Sequence, residues 1–119
     1  MSTPMVVGQQ RRRSRAGRTS TSIKIGEAVA SLAALAQQSR LSVYRLLIRR
    51  SPEGFSAGEL ARRLGIPTAT LSFHLKELVR AGLIHSHRDG RFVYYSVRIA
   101  ALNDLVLFLT DHCGSDGSR

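Results

Sequence analysis

The chain has 119 residues, 43% of them hydrophobic, with a formal net charge of +10 and a single cysteine. That length suits one domain with a modest core, and the lone cysteine excludes an intrachain disulfide framework or an all-cysteine metal site built by one chain. No apolar run approaches a membrane span and the N-terminus lacks a signal-peptide centre, so a cytoplasmic protein is expected, with nucleic acid as the favoured partner for its positive charge and no membrane partner.

Residues 1–22 carry Arg11, Arg12, Arg13, Arg15 and Arg18, no acidic residue, and almost no hydrophobic periodicity. They read as a disordered basic arm, either solvated or laid along phosphates or into a minor groove. A folded domain is expected over 23–113 and a flexible tail over 114–119. Ser22 can cap a first helix from near Ile23, where Ile25, Val29, Leu32, Ala33 and Ala36 recur at helical spacing. A second helix is predicted over about Ser39–Arg50, with Leu41, Tyr44, Leu47 and Ile48 inward. Ser51-Pro52-Glu53-Gly54 ends it by turn chemistry.

The third helix, about Ser56–Leu64, opens with Ser56 and, three residues later, Glu59, the pattern of a capping box. Gly65-Ile66-Pro67 makes a turn, with Gly65 suited to the left-handed position after a helix. A fourth helix follows over about Thr68–Ala81, burying Leu71, Leu75, Leu78 and Val79. Ile84–His87 and Phe92–Val97 alternate as two strands around an Asp89-Gly90 turn. The last helix, about Ile99–Cys113, is apolar on nearly all sides, more than one small core can cover. A second copy of the chain is the simplest cover. Val29, Leu32, Leu102, Leu105, Val106 and Leu109 are then the expected interface of a homodimer formed through the first and last helices.

The fold class expected is mainly α with a two-stranded β wing, a winged helix-turn-helix. Such a unit places its second helix in the DNA major groove and its hairpin beside it. The recognition helix offers Thr68, Thr70, Ser72, Phe73, His74 and Lys76. Thr70, Ser72 and Phe73 are the base-edge candidates, with Phe73 suited to a thymine methyl unless it folds back on a neighbouring helix. His74 either donates to a phosphate, caps the wing or packs as a neutral ring. Arg62, Arg63 and Lys76 suit phosphates, and Arg88 and Arg91 at the wing tip suit the minor groove or its backbone. His85 and His87 share a strand face without an evident third ligand. No nucleophile–base pair, phosphate loop or carboxylate pair is present, so an enzyme is not expected. The function read from these residues is a sequence-specific DNA-binding regulator. The alternative is a winged-helix protein-interaction module without specific DNA binding.

The segments SRLSVYRLL, ELARRLG, LSFHLKELVRAGLI and RDGRFVYYSV together resemble the ArsR/SmtB family of arsenical-resistance and metal-sensor repressors, over about Ile25–Cys113. The resemblance implies a homodimer that represses from a palindromic operator and releases it on an inducer. It also implies that Thr68–Lys76 is the recognition segment and His85–Tyr95 the wing. The inducer sites depart from the family's patterns. Ala61 and Arg63 stand where arsenic sensors carry two cysteines, and Asp104 is followed by Leu105 and Val106 where zinc sensors carry Asp-x-His. The end of the last helix reads Leu109-Thr110-Asp111-His112-Cys113-Gly114, against a related Leu-Thr-Glu-Asn-Cys-Cys. Two copies of Cys113 cannot complete a three-thiolate arsenic site. His112 and Cys113 from both chains would give two nitrogens and two sulfurs for a zinc-like ion, and Cys113 alone is open to oxidation or bridging between chains. The third alternative is an inert Cys113 with no metal input.

Overall fold

A computed structural model of the protein describes residues 23–111. The expected basic arm, the tail and the His112–Cys113 pair lie outside the described residues. Lys24–Leu102 form one compact unit; Ile23 and Asn103–Asp111 belong to a second. The elements in chain order are α1 (Ile25–Leu35), α2 (Gln38–Arg49), β1 (Phe55–Ser56), α3 (Ala57–Leu64), α4 (Thr68–Arg80), β2 (Ile84–Asp89), β3 (Phe92–Val97) and α5 (Ile99–Thr110).

Each of the helices α1, α2 and α3 starts where a local acceptor meets the orphan amides of its first turn. The Lys24 backbone N–H donates to the Glu27 carboxylate at 2.8 Å, so α1 begins two residues later than the Ser22 cap predicts. At α2 the Gln37 side-chain oxygen accepts from the Arg40 N–H at 2.8 Å. At α3 the expected capping box is present in both directions. The Glu59 N–H donates to Ser56 Oγ at 3.3 Å, and the Ser56 N–H donates to Glu59 Oε1 at 3.1 Å. Gly65 ends α3 at φ 65°, the left-handed conformation that a side chain disfavours.

The core gathers Val43, Tyr44 and Leu47 of α2, Leu60 of α3, Leu71, Leu75 and Leu78 of α4, then Leu83, Ile84 and Val97. Each fully buried leucine contributes about 1.5–3 kcal/mol by leaving water. Three expected core positions fall elsewhere: Leu41, Ile48 and Val79 are exposed. On α2 the inward stripe is centred on Val43 and Leu47, which turns Leu41 and Ile48 to its edges.

The wing is a three-stranded antiparallel sheet in the order β1-β3-β2, one strand more than expected. Phe55 pairs with Tyr95 and Ser56 with Tyr94. Between β2 and β3, Ile84 faces Val97 and Asp89 faces Phe92. The two-residue turn is therefore Gly90-Arg91 and not Asp89-Gly90. Gly90, at φ 67°, supplies the positive φ that the first position of such a turn requires. Gly54 lets β1 approach β3: a Cβ there would collide with the Tyr95 carbonyl.

Candidate nucleic-acid interface

With Leu71, Leu75 and Leu78 buried, α4 turns Thr68, Thr70, Ser72, Phe73 and Lys76 to the surface. Phe73 is 55% exposed, an unusual position for a large apolar ring. Pro67, the residue before α4, makes no side-chain cap. The first-turn amides of α4 therefore have no side-chain cap from that residue.

Arg62 and Arg63 are exposed in the last turn of α3. The Arg63 guanidinium carbon lies 4.9 Å from the centroid of the Phe55 ring and that of Arg50 lies 4.6 Å from it, so β1 holds two cations by their attraction to one aromatic ring. Arg88 is exposed on β2, and Arg91 is exposed in the turn at the wing tip. The recognition-helix polar residues and the wing arginines thus stand on separate exposed elements joined through one core.

His74 takes the packed alternative of those expected for it. It is 6% exposed and sits with Leu71, Leu75 and Leu78 on the buried side of α4. Burial, and after it the charge of Arg40, holds its pKa below the ordinary 6.5, so the ring is neutral near neutral pH. Its Nδ1 has no hydrogen-bond partner. Tyr44 on α2 is buried as well, and desolvation pushes its hydroxyl up to about 12.

Arg40 is a further residue beside this face, and nothing in the sequence marks it, because α2 presents it among several other arginines with no pattern to single it out. Its guanidinium carbon lies 5.9 Å from the Phe73 ring centroid, its Nε is buried without a hydrogen-bond partner, and its charge reaches His74. Phe73 is therefore neither free nor folded into the core: one side meets Arg40 and more than half of it remains exposed.

On the wing, the register places His85, His87 and Asp89 on the same face as Phe92, Tyr94 and Ser96. His87 stacks on Tyr94 at 5.8 Å with an interplanar angle of 25°, and the His85 ring lies 6.3 Å from His87. This is a packed aromatic row. Among the described residues no group of three or more His, Cys, Asp or Glu is arranged to hold a metal ion.

The expected dimer residues divide. Val29 at 58%, Leu32, Val106 and Leu109 are exposed. Leu102 is partly buried against the chain's own core and Leu105 is buried within the single chain. Among the described residues no helix is long and apolar enough to cross a membrane.

The capped α3, the left-handed turn, the exposed face of α4 and the basic hairpin define a winged helix-turn-helix DNA-binding protein. Comparison with known proteins agrees. A helix-turn-helix domain family matches residues 35–87. The HTH-type transcriptional regulator YgaV of Escherichia coli is 37% identical over 83 residues, which cover 70% of this chain and 82% of YgaV. Among solved structures, an ArsR-like transcriptional regulator from Rhodococcus superposes with a TM-score of 0.67 at 27% identity, covering 80% of this chain and 86% of that one. The homodimeric winged helix-turn-helix DNA-binding domain of Mb0332 from Mycobacterium bovis superposes with a TM-score of 0.59 at 26% identity, covering 77% and 81%. The chain belongs to the ArsR family of transcriptional regulators, and its activity is DNA-binding control of transcription.

Proposed function

We propose that the chain acts as a homodimeric repressor in the cytoplasm that reads a two-fold operator with α4 and leaves it when an inducer binds. The observation that carries this reading is the exposed run Thr70, Ser72 and Phe73, followed by Lys76, on a helix whose opposite face is locked into the core. Those three side chains lie in the first two turns, the part of a recognition helix that reaches base edges. Lys76, Arg62, Arg63, Arg88 and Arg91 take phosphates or the minor groove, and Thr68 joins them at the start of the helix. The exposed apolar residues Val29 and Leu32 on α1, and Val106 and Leu109 on α5, support a second copy as the partner, as does the homodimeric state of the Mb0332 domain. Repression then follows from occupancy of the operator. A three-thiolate arsenic site is not part of the proposal, because each chain holds only Cys113.

Enrichment of a random duplex pool on the purified protein tests the reading. An enriched duplex should stay bound under excess unrelated DNA, with an affinity advantage on the order of 10³ or more. Equal retention of enriched and unrelated duplexes would leave only charge-driven binding and overturn it.

A further inference from the structure

A groove of about 260 Å³ opens between α1, α2 and the C-terminal end of α4, one to two turns beyond Phe73. Ala30, Ala33 and Ala34 of α1, together with Ala81, form a short apolar wall; Arg40, Glu77 and Arg80 supply the polar groups. Arg80 Nη1 lies 3.4 Å from Glu77 Oε2, so that pair cancels its own charge. Arg40 remains as the net charge of the groove. Its Nε is a buried donor without an acceptor, the kind of group that an incoming acceptor satisfies at once. The planar guanidinium fork fits a carboxylate in a bidentate way. Four alanines beside it suit an apolar body and give nothing to the extra oxygens of a phosphate.

We propose that this groove is an effector site for a small organic carboxylate, with Arg40 as its anion receptor, and that Arg40 links occupancy to DNA reading through Phe73. The guanidinium that would hold the ligand is the one set 5.9 Å from the Phe73 ring centroid. A carboxylate drawing on it weakens the cation's hold on that ring and adds negative charge beside the DNA-facing side of the helix. Both effects lower DNA affinity, and by linkage DNA lowers ligand affinity equally. At 100° per residue, Ala30 and Ala34 lie on a different side of α1 from Ile25, Val29 and Leu32, with Ala33 between the two sets, so a partner centred on the latter leaves the Ala30 side of the groove open. The coupling half rests on the proposed function; the binding half does not.

The full-length protein is titrated calorimetrically, without DNA, with benzoate and hexanoate, and with benzamide and inorganic phosphate as the neutral and non-apolar arms. The carboxylates are expected to saturate at one per chain, and to bind about tenfold or more tighter than benzamide or phosphate. Arg40→Gln should lose this binding, whereas Arg45→Gln, an exposed change on the same helix, should keep it. Ala30→Leu, which fills the groove without touching a charge, should also lose it and carries the test if Arg40→Gln does not fold. Failure of both carboxylates to saturate at millimolar concentration, equal binding of phosphate, or retention in Ala30→Leu would overturn the site. Saturating benzoate should weaken wild-type binding to an enriched duplex several-fold and leave Arg40→Gln unaffected. Ligand binding with unchanged DNA affinity overturns the coupling. A protein that binds benzoate but shows no preferred duplex fails the repressor reading, not the site.

Discussion

His74 shows how one residue changes meaning between sequence and structure. On a helical wheel it flanks the recognition face, yet it is buried, its Nδ1 lacks a partner, and Arg40 is near enough to oppose a positive charge. Its folded pKa lies below the unfolded value of 6.5. Above that value both states are neutral and the stability is complete; as pH falls through 6.5 the unfolded chain takes up the proton first, and stability drops. Thermal melts from neutral pH down to about 5 should show this fall. His74→Leu should flatten it, because the replacement neither titrates nor leaves a polar atom unsatisfied. A His74→Leu protein with the same pH slope as the wild type would move the cause to another group. Phe73, one residue away, is legible as an anomaly from its apolar character at an outward position. Its neighbour Arg40 is not, because a single arginine on another helix has no local pattern that ties it to α4.

At the scale of elements, what can be read from the chain is what local chemistry decides. The Ser56–Glu59 box, Gly65 and the leucine spacing of α4 each fix their element through contacts within a few residues, and the structure has all three. The third strand is invisible in the sequence, since Phe55–Ser56 is too short for periodicity and Ser56 serves at once as helix cap and strand residue. The turn lies one residue from its expected place because Asp89-Gly90 and Gly90-Arg91 both give the glycine a suitable position, and only the pairing of Asp89 with Phe92 decides between them. Leu102 and Leu105 pack within their own chain for a related reason. An all-apolar helix shows how much surface must be covered, not which stripe its own chain covers. The dimer is therefore better tested at exposed positions. Val29→Asp on α1, or Val106→Asp on α5, should raise the dimer dissociation constant tenfold or more, about 1.4 kcal/mol, in sedimentation equilibrium. An unchanged monomer–dimer balance in both variants would place the interface elsewhere.

For the whole molecule, charge and shape act on different parts of recognition. A net charge of +10 raises the encounter rate with any polyanion and makes binding fall with salt, but it carries no sequence preference. Preference must come from a few side chains held still, and α4 holds Thr70, Ser72 and Phe73 outward on a helix anchored by Leu71, Leu75 and Leu78. The wing arginines Arg88 and Arg91 stand outside that anchored face. Alanine at both should weaken all duplexes alike and reduce the salt slope by about one unit for each phosphate no longer neutralised, as salt-dependent binding titrations would show.

Whether the anchored face of α4 selects the operator is read by comparing the duplexes enriched by the wild type with those enriched by the triple variant Thr70→Ala, Ser72→Ala, Phe73→Ala. The predicted result is a changed preference at particular base pairs, about 1–3 kcal/mol at each position formerly read, with non-specific binding at low salt preserved. An unchanged preferred sequence from the triple variant would mean that α4 does not read the operator.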